Sequence, residues 1–147
     1  MKRLYENKKL LQSKGNTQDN KKQKMISKIK ITTPIREILL NNLEIAAMVG
    51  QNIFPIIAPD NTNGDFIIYQ RNGFSKKSTK MGVYKQVTAV YINAISDNYD
   101  RSQDLADLIY NCLEGTFSNP NMQITLIDSK ENFENGKYMQ ILLFEVE

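Results

Sequence analysis

The stretch from Val83 to Gly115, VYKQVTAVYINAISDNYDRSQDLADLIYNCLEG, restricts the possible folds more than any other. Val83 to Ile95 is rich in Val, Ile, Thr and Tyr and contains neither Pro nor Gly, a composition that suits a pleated, half-buried strand. Ser96, Asp97 and Asn98 follow as candidate N-caps, and Asp100 puts a negative charge in the first turn of a helix, where the dipole favours it. Leu105, Leu108, Ile109 and Cys112 recur at steps of three and four, widened by Ala106 and Leu113. Asp104, Asp107, Asn111 and Glu114 take the wet face, and Gly115 is placed for a left-handed C-terminal residue. A long strand feeding an amphipathic helix predicts a sheet with a helix lying on it.

The absence of histidine removes Ser–His–Asp and Cys–His catalysis and most zinc geometries. The single cysteine, Cys112, has no intrachain partner and falls on the apolar helix face, as a buried thiol does. Asp104 and Asp107 lie opposite the apolar stripe, where water is their natural partner, so no convergent acid–base or metal cluster points to an enzyme. No apolar run approaches the roughly 20 residues of a membrane span, and the basic N-terminus lacks the apolar segment of a signal peptide. At 147 residues with 41% apolar content, one core-forming domain is expected.

Charge is unevenly placed. Residues 1–30 hold ten Lys/Arg against Glu6 and Asp19, a net of +8, and residues 31–147 carry −5. The first thirty residues read as a basic extension in which Leu4, Tyr5, Leu10 and Leu11 support at most a short helix and Gly15 to Lys24 is a solvated linker. Domain-like sequence begins at about Met25. Such an arm is either a floppy extension or a contact for nucleic acid or an acidic surface.

Thr32 and Thr33 before Pro34 form an N-cap and N1 pair for a first helix that ends at Gly50. Its stripe is Ile35, Leu39, Leu43 and Ala46, flanked by Ile38, Ala47 and Met48. Pro55 and Pro59 confine Ile53 to Pro59 to an edge or crossover segment. Asp60 to Asp65 reads as a loop and Phe66 to Arg71 as a short strand. Asn72 to Gly82, NGFSKKSTKMG, reads as a long basic hairpin loop with glycines at both ends. It lacks the phosphate-loop pattern and joins two strands instead of opening a helix. Its lysines Lys76, Lys77 and Lys80, with Phe74 and Met81 as apolar anchors, are the candidate interface residues. Thr116 to Asn121 reads as a turn, and Met122, Ile124 and Leu126 alternate as a half-buried strand. Asn135-Gly136 is a hairpin signal, and Tyr138 to Val146 returns as a strand apolar on both faces. That two-sidedness suggests a central position or an interface.

The expected architecture is α+β: an antiparallel sheet of about four strands with two helices on one face, spanning residues 31–147 behind the basic extension of residues 1–30. Along the long strand Thr88, Val90, Ile92 and Ala94 share one face and Val87, Ala89 and Tyr91 the other. Neither is strongly polar, so the face away from the helices calls for a partner.

Val49-Gly50-Gln51-Asn52-Ile53-Phe54-Pro55, then Ala58-Pro59, then Phe66-Ile67-Ile68-Tyr69-Gln70-Arg71, resembles the small tail-completion and tail-terminator proteins of tailed bacteriophages and prophages. There, too, a later strand leads into an Ala- and Leu-rich helix face, a place taken here by Asp104-Leu105-Ala106-Asp107. The resemblance covers about Ile35 to Gly115, as an ordered set of short motifs. It implies a structural virion protein at the head-proximal end of the tail. Such a protein forms a homo-oligomeric ring, commonly a hexamer, that contacts the tail tube protein and the head–tail connector protein. It implies no catalytic residue, cofactor or metal, and Tyr69, Gln70 and Arg71 match its strand without a binding role. A neck connector of related shape is the alternative. A small nucleic-acid-binding module acting through residues 1–30 and the loop lysines is a further one, recognisable by steep salt dependence.

Overall fold

The computed structural model describes residues 27–80 and 82–147, with backbone only for 76–79 and 83–85. Residues 1–26, including the stretches read above as a short helix and a linker, lie outside the described residues, as does Met81. A single 3-10 turn, Lys28–Lys30, leads into helices α1 (Thr32–Leu40) and α2 (Leu43–Val49). Strands β1 (Ile53–Pro55), β2 (Phe66–Thr79) and β3 (Gly82–Ser96) follow, then helix α3 (Tyr99–Leu113) and strands β4 (Gly115–Phe117), β5 (Met122–Glu134) and β6 (Lys137–Val146).

The strand and helix that dominate the sequence are β3 and α3. Of the three candidate caps it is Asn98 that closes the helix start, its side chain accepting from the Arg101 amide at 3.0 Å. Ser96 is instead fully buried. Leu105, Ile109 and Leu113 are completely buried along α3, with Ala106, Leu108 and Cys112 packed at the margin. The helix closes at Glu114, and Gly115, at φ +136°, turns the chain straight into β4.

The six strands form one sheet in the order β1-β2-β3-β6-β5-β4, antiparallel except for β1 against β2. Among the described residues the fold is α+β, with three α-helices and six strands where two and about four were expected. The additional strands are the three-residue edges β1 and β4, too short for periodicity to reveal. Pro55 does end an edge strand, as its missing amide requires. β4 takes over the first part of the expected turn, because Gly115 to Phe117 pairs with Ile124 to Met122.

The additional helix comes from a break. Asn42 has extended backbone and its side chain accepts from the Ile45 amide at 3.0 Å, so a new helix begins there. The break resets the phase of the apolar stripe. Ile35 and Leu39 are buried on α1, but Ile45 and Val49 are buried on α2, and Leu43, expected in the stripe, is 85% exposed. The N-terminus of α1 also differs: Ile31 stands at the cap without a side-chain hydrogen bond, since the 3-10 turn already runs into the helix. Pro34 falls third in the helix, within the first turn, where amides have no intrahelical acceptor.

All three helices lie on one face of the sheet. Ile67, Val90, Ile92, Leu142, Phe144 and Val146 meet Ile35, Leu39, Leu105 and Ile109 in a single core. Removing a fully buried Leu or Ile side chain from such a core costs about 2–5 kcal/mol. β6 is central, as its two-sided apolarity suggested. The Asn135-Gly136 turn joins it to β5, both residues having positive φ (54° and 76°) as the tight hairpin requires.

The stretch from Asn72 to Gly82 is not a loop. β2 continues to Thr79 and β3 starts at Gly82, with paired register from Phe74 opposite Thr88 to Thr79 opposite Gly82. A register shift between Arg71 and Gly73 marks where this ribbon leaves the sheet. Its neighbour β6 ends at Val146 opposite Thr88, so among the described residues no third strand follows it outward. Ser75 to Thr79 carries no apolar alternation, which is why it does not read as strand.

Candidate functional site

Three surfaces stand out, and they occupy different parts of the sheet. The first is the β2–β3 arm, which extends beyond Thr88 for about 20 Å at a strand's rise per residue. Lys76 and Lys77 occupy register positions opposite Gln86 and Lys85, and Lys80 is exposed at the tip beside Met81. Phe74 sits at the root of the arm and is 37% exposed. Asn72 to Val87 contains four lysines and no acid. The fold thus places Phe74, Lys76, Lys77 and Lys80 on one two-stranded ribbon, and Met81 lies outside the described residues.

The second surface is the sheet face away from the helices. The register places Tyr91, Asn93 and Ile95 of β3 beside Leu143, Ile141 and Met139 of β6, with Ile68 and Phe66 of β2 alongside. No helix among the described residues covers them. Tyr91, Ile141 and Leu143 are partly exposed. Within this face the Asn93 Oδ1 atom is buried without a hydrogen-bond donor among the described residues.

The third lies at the opposite end of β3 from the arm, where the β5–β6 hairpin meets the start of α3. Tyr99, Glu131, Asn132, Phe133, Tyr138 and Gln140 line an open depression of about 440 Å³. Three rings form its wall: Tyr99 stands edge-on to Tyr138 at 5.5 Å, and Phe133 lies 4.8 Å from Tyr138. The Tyr99 hydroxyl donates to Glu131 Oε2 at 2.6 Å, and the Gln140 amide donates to the same oxygen at 2.8 Å and to Ser102 Oγ at 3.3 Å. These bonds hold the Glu131 carboxyl below its ordinary range, Tyr99 contributing most, and they raise the Tyr99 phenol for the same reason. Sequence reasoning missed this cluster. Tyr99 and Tyr138 are 39 positions apart in the sequence, and only the register of β5 on β6 brings Phe133 against Tyr138.

Beside the pocket, Asp65 is a structural anchor. Its side chain is 7% exposed, accepts from the Ser96 hydroxyl at 2.7 Å, and takes the Arg101 guanidinium on Oδ2 at 2.6 and 2.8 Å. This ties the end of the loop before β2 to the first turn of α3. No group of three or more acid, cysteine or histidine side chains among the described residues is placed to hold a metal. No helix among them is long and apolar enough to cross a membrane. Cys112 is half-buried, and burial pushes its thiol up.

No family model matches the sequence, and no curated protein matches it. The fold, however, is shared with solved structures. One is a chain in the structure described as the virion of a native gene transfer agent (GTA) particle: TM-score 0.65, 18% identity, covering 76% of this chain and 89% of that one. At that identity the likeness establishes a common fold, and the fold it establishes is that of a chain found in a virion.

Proposed function

We propose that this chain is a structural virion protein of a tailed phage, a prophage or a phage-derived particle. In this reading its copies form a ring, with six the expected number, that completes the tail tube and joins it to the head. The observation that carries the reading is the fold shared with a chain of a gene transfer agent virion. It is supported by the apolar sheet face that no helix among the described residues covers and by the arm that leaves the sheet. Ring subunits meet head-to-tail through two different surfaces, and this chain has distinct surfaces at its two ends. The chain acts by contact alone, without catalysis or cofactor. Its partners are further copies of itself, the tail tube protein and the head–tail connector protein.

Deleting the gene from its particle-producing host and imaging the products tests this. Free heads beside unattached tails with tubes of irregular length are expected, and the protein should be present in purified wild-type particles. Heads and tails that stay apart although the tubes keep normal length would assign the chain to the neck instead. Normal particles that lack the protein would overturn the virion reading.

A further inference from the structure

The two ends of β3 carry complementary chemistry. At one end the arm's sequence carries lysines without a compensating acid: Lys80 is exposed at the tip, and Lys76, Lys77 and Lys85 hold register positions on the strands behind it. At the other end, three aromatic rings and a carboxylate line the 440 Å³ depression. Rings of this kind attract an ammonium group to their faces. Both donors to Glu131 within the chain fall on Oε2, so Oε1 has no donor among the described residues. Lys137 is engaged with Asp97 at 2.7 Å, Arg101 with Asp65, and Lys130 with Asp128 at 3.7 Å. Asp100, in the first turn of α3, adds to the negative field at Tyr99. Phe133 is 58% exposed and Tyr99 40%, so both rings are open to a contact.

We propose that the arm tip of one copy, led by Lys80, seats against Tyr99, Phe133, Tyr138 and Glu131 of a second copy. The occupant is another copy of this chain because the arm and the pocket have opposite charge and lie at opposite ends of one strand. Within one molecule they do not meet. Between molecules they give a heterologous contact, with each subunit offering its arm to the next and its pocket to the one before. The inference rests on the ring reading, for which it names the contact that closes the ring.

The test is a charge swap in the full-length chain. Lys80→Glu and Glu131→Lys should each weaken self-association, measured by sedimentation over a concentration series and on purified tails, by at least about tenfold. An equimolar mixture of the two variants should restore it, since each interface then pairs opposite charges again. Phe133→Ala, which leaves the Glu131 hydrogen bonds in place, should weaken it as well. Thermal unfolding of each variant is compared with the parent, so that loss of assembly is separated from loss of fold. A photo-crosslinker at position 80 should link to residues around Phe133 and Tyr138 of another copy. The proposal is overturned if the single variants assemble like the parent, if the mixture fails to recover, or if the crosslinks map elsewhere. A parent that never self-associates, in solution or on tails, overturns it too. The virion reading is judged separately, by the protein's presence in particles and by the deletion phenotype.

Discussion

Asp65→Ala removes the acceptor shared by Ser96 and Arg101, and the structure gives the size of the effect. Ser96 is fully buried, and its hydroxyl donates to Asp65 at 2.7 Å. An orphaned buried hydroxyl costs about 1–3 kcal/mol. The Arg101 side chain is 51% exposed and turns to water, so its share of the ion pair is about 0.2–1 kcal/mol. Together the substitution should cost about 2–3 kcal/mol, or roughly 5–10 °C in Tm for a chain of this length. Asp65→Asn keeps an oxygen for Ser96 and should lose about half as much. Urea unfolding of Asp65→Ala, Ser96→Ala and the double variant closes a thermodynamic cycle. Ser96 and Asp65 should couple by about 1–2 kcal/mol, with the m-value unchanged. A coupling below about 0.5 kcal/mol would mean that the two residues act independently and that Asp65 is an ordinary surface acid.

Three further outcomes are expected. Asn42→Ala should lose about 1 kcal/mol of stability with the cap of α2, and Leu43→Ser within about 0.5 kcal/mol of nothing, whereas Leu39→Ala should lose about 2–5 kcal/mol; thermal scans of the three decide whether the helix break is placed correctly. Glu131, followed by carboxyl-carbon NMR, should titrate below its ordinary 4.5 and return towards it in Tyr99→Phe. A carboxyl depressed in the fold stabilises it above the unfolded value, and that contribution fades as pH falls through the lower folded value. Cys112 should react slowly with alkylating reagents at neutral pH and at the rate of a free thiol once urea unfolds the chain, a difference that thiol labelling with mass readout will show.

The parts of the fold that were legible are those where one residue pattern persists over several turns or pleats. Leu105, Ile109 and Leu113 announce α3, and the alternation through Ile92 and Ala94 announces β3. The edge role of Ile53 to Pro55 follows from proline chemistry, and the β5–β6 turn from Asn135-Gly136. What escaped is what local pattern does not encode. The α1–α2 break rests on one asparagine side chain choosing a backbone amide, and without it Leu43 fits the stripe. The arm escaped because its Ser, Thr and Lys residues pair in register without leaving an apolar signature in the sequence. The aromatic pocket and the Asp65 anchor join residues more than thirty positions apart, and only the sheet register brings them together.

The order of strands in the sheet differs from their order along the chain, and this bears on how the protein reaches its native state. β6 lies between β3 and β5, so the sheet's middle seam, β3 against β6, joins the segment around Ala94 to the segment around Gln140. Until β6 is available, β1 to β3 with their helices make a half-sheet whose inner edge has unpaired amides and carbonyls. Such an edge is a template for intermolecular pairing. Closing the seam requires a long excursion of chain, which slows a search dominated by distant contacts. A nascent chain on the ribosome holds this sticky edge open through the synthesis of α3, β4 and β5, and crowded expression should favour aggregates of just that half-made species.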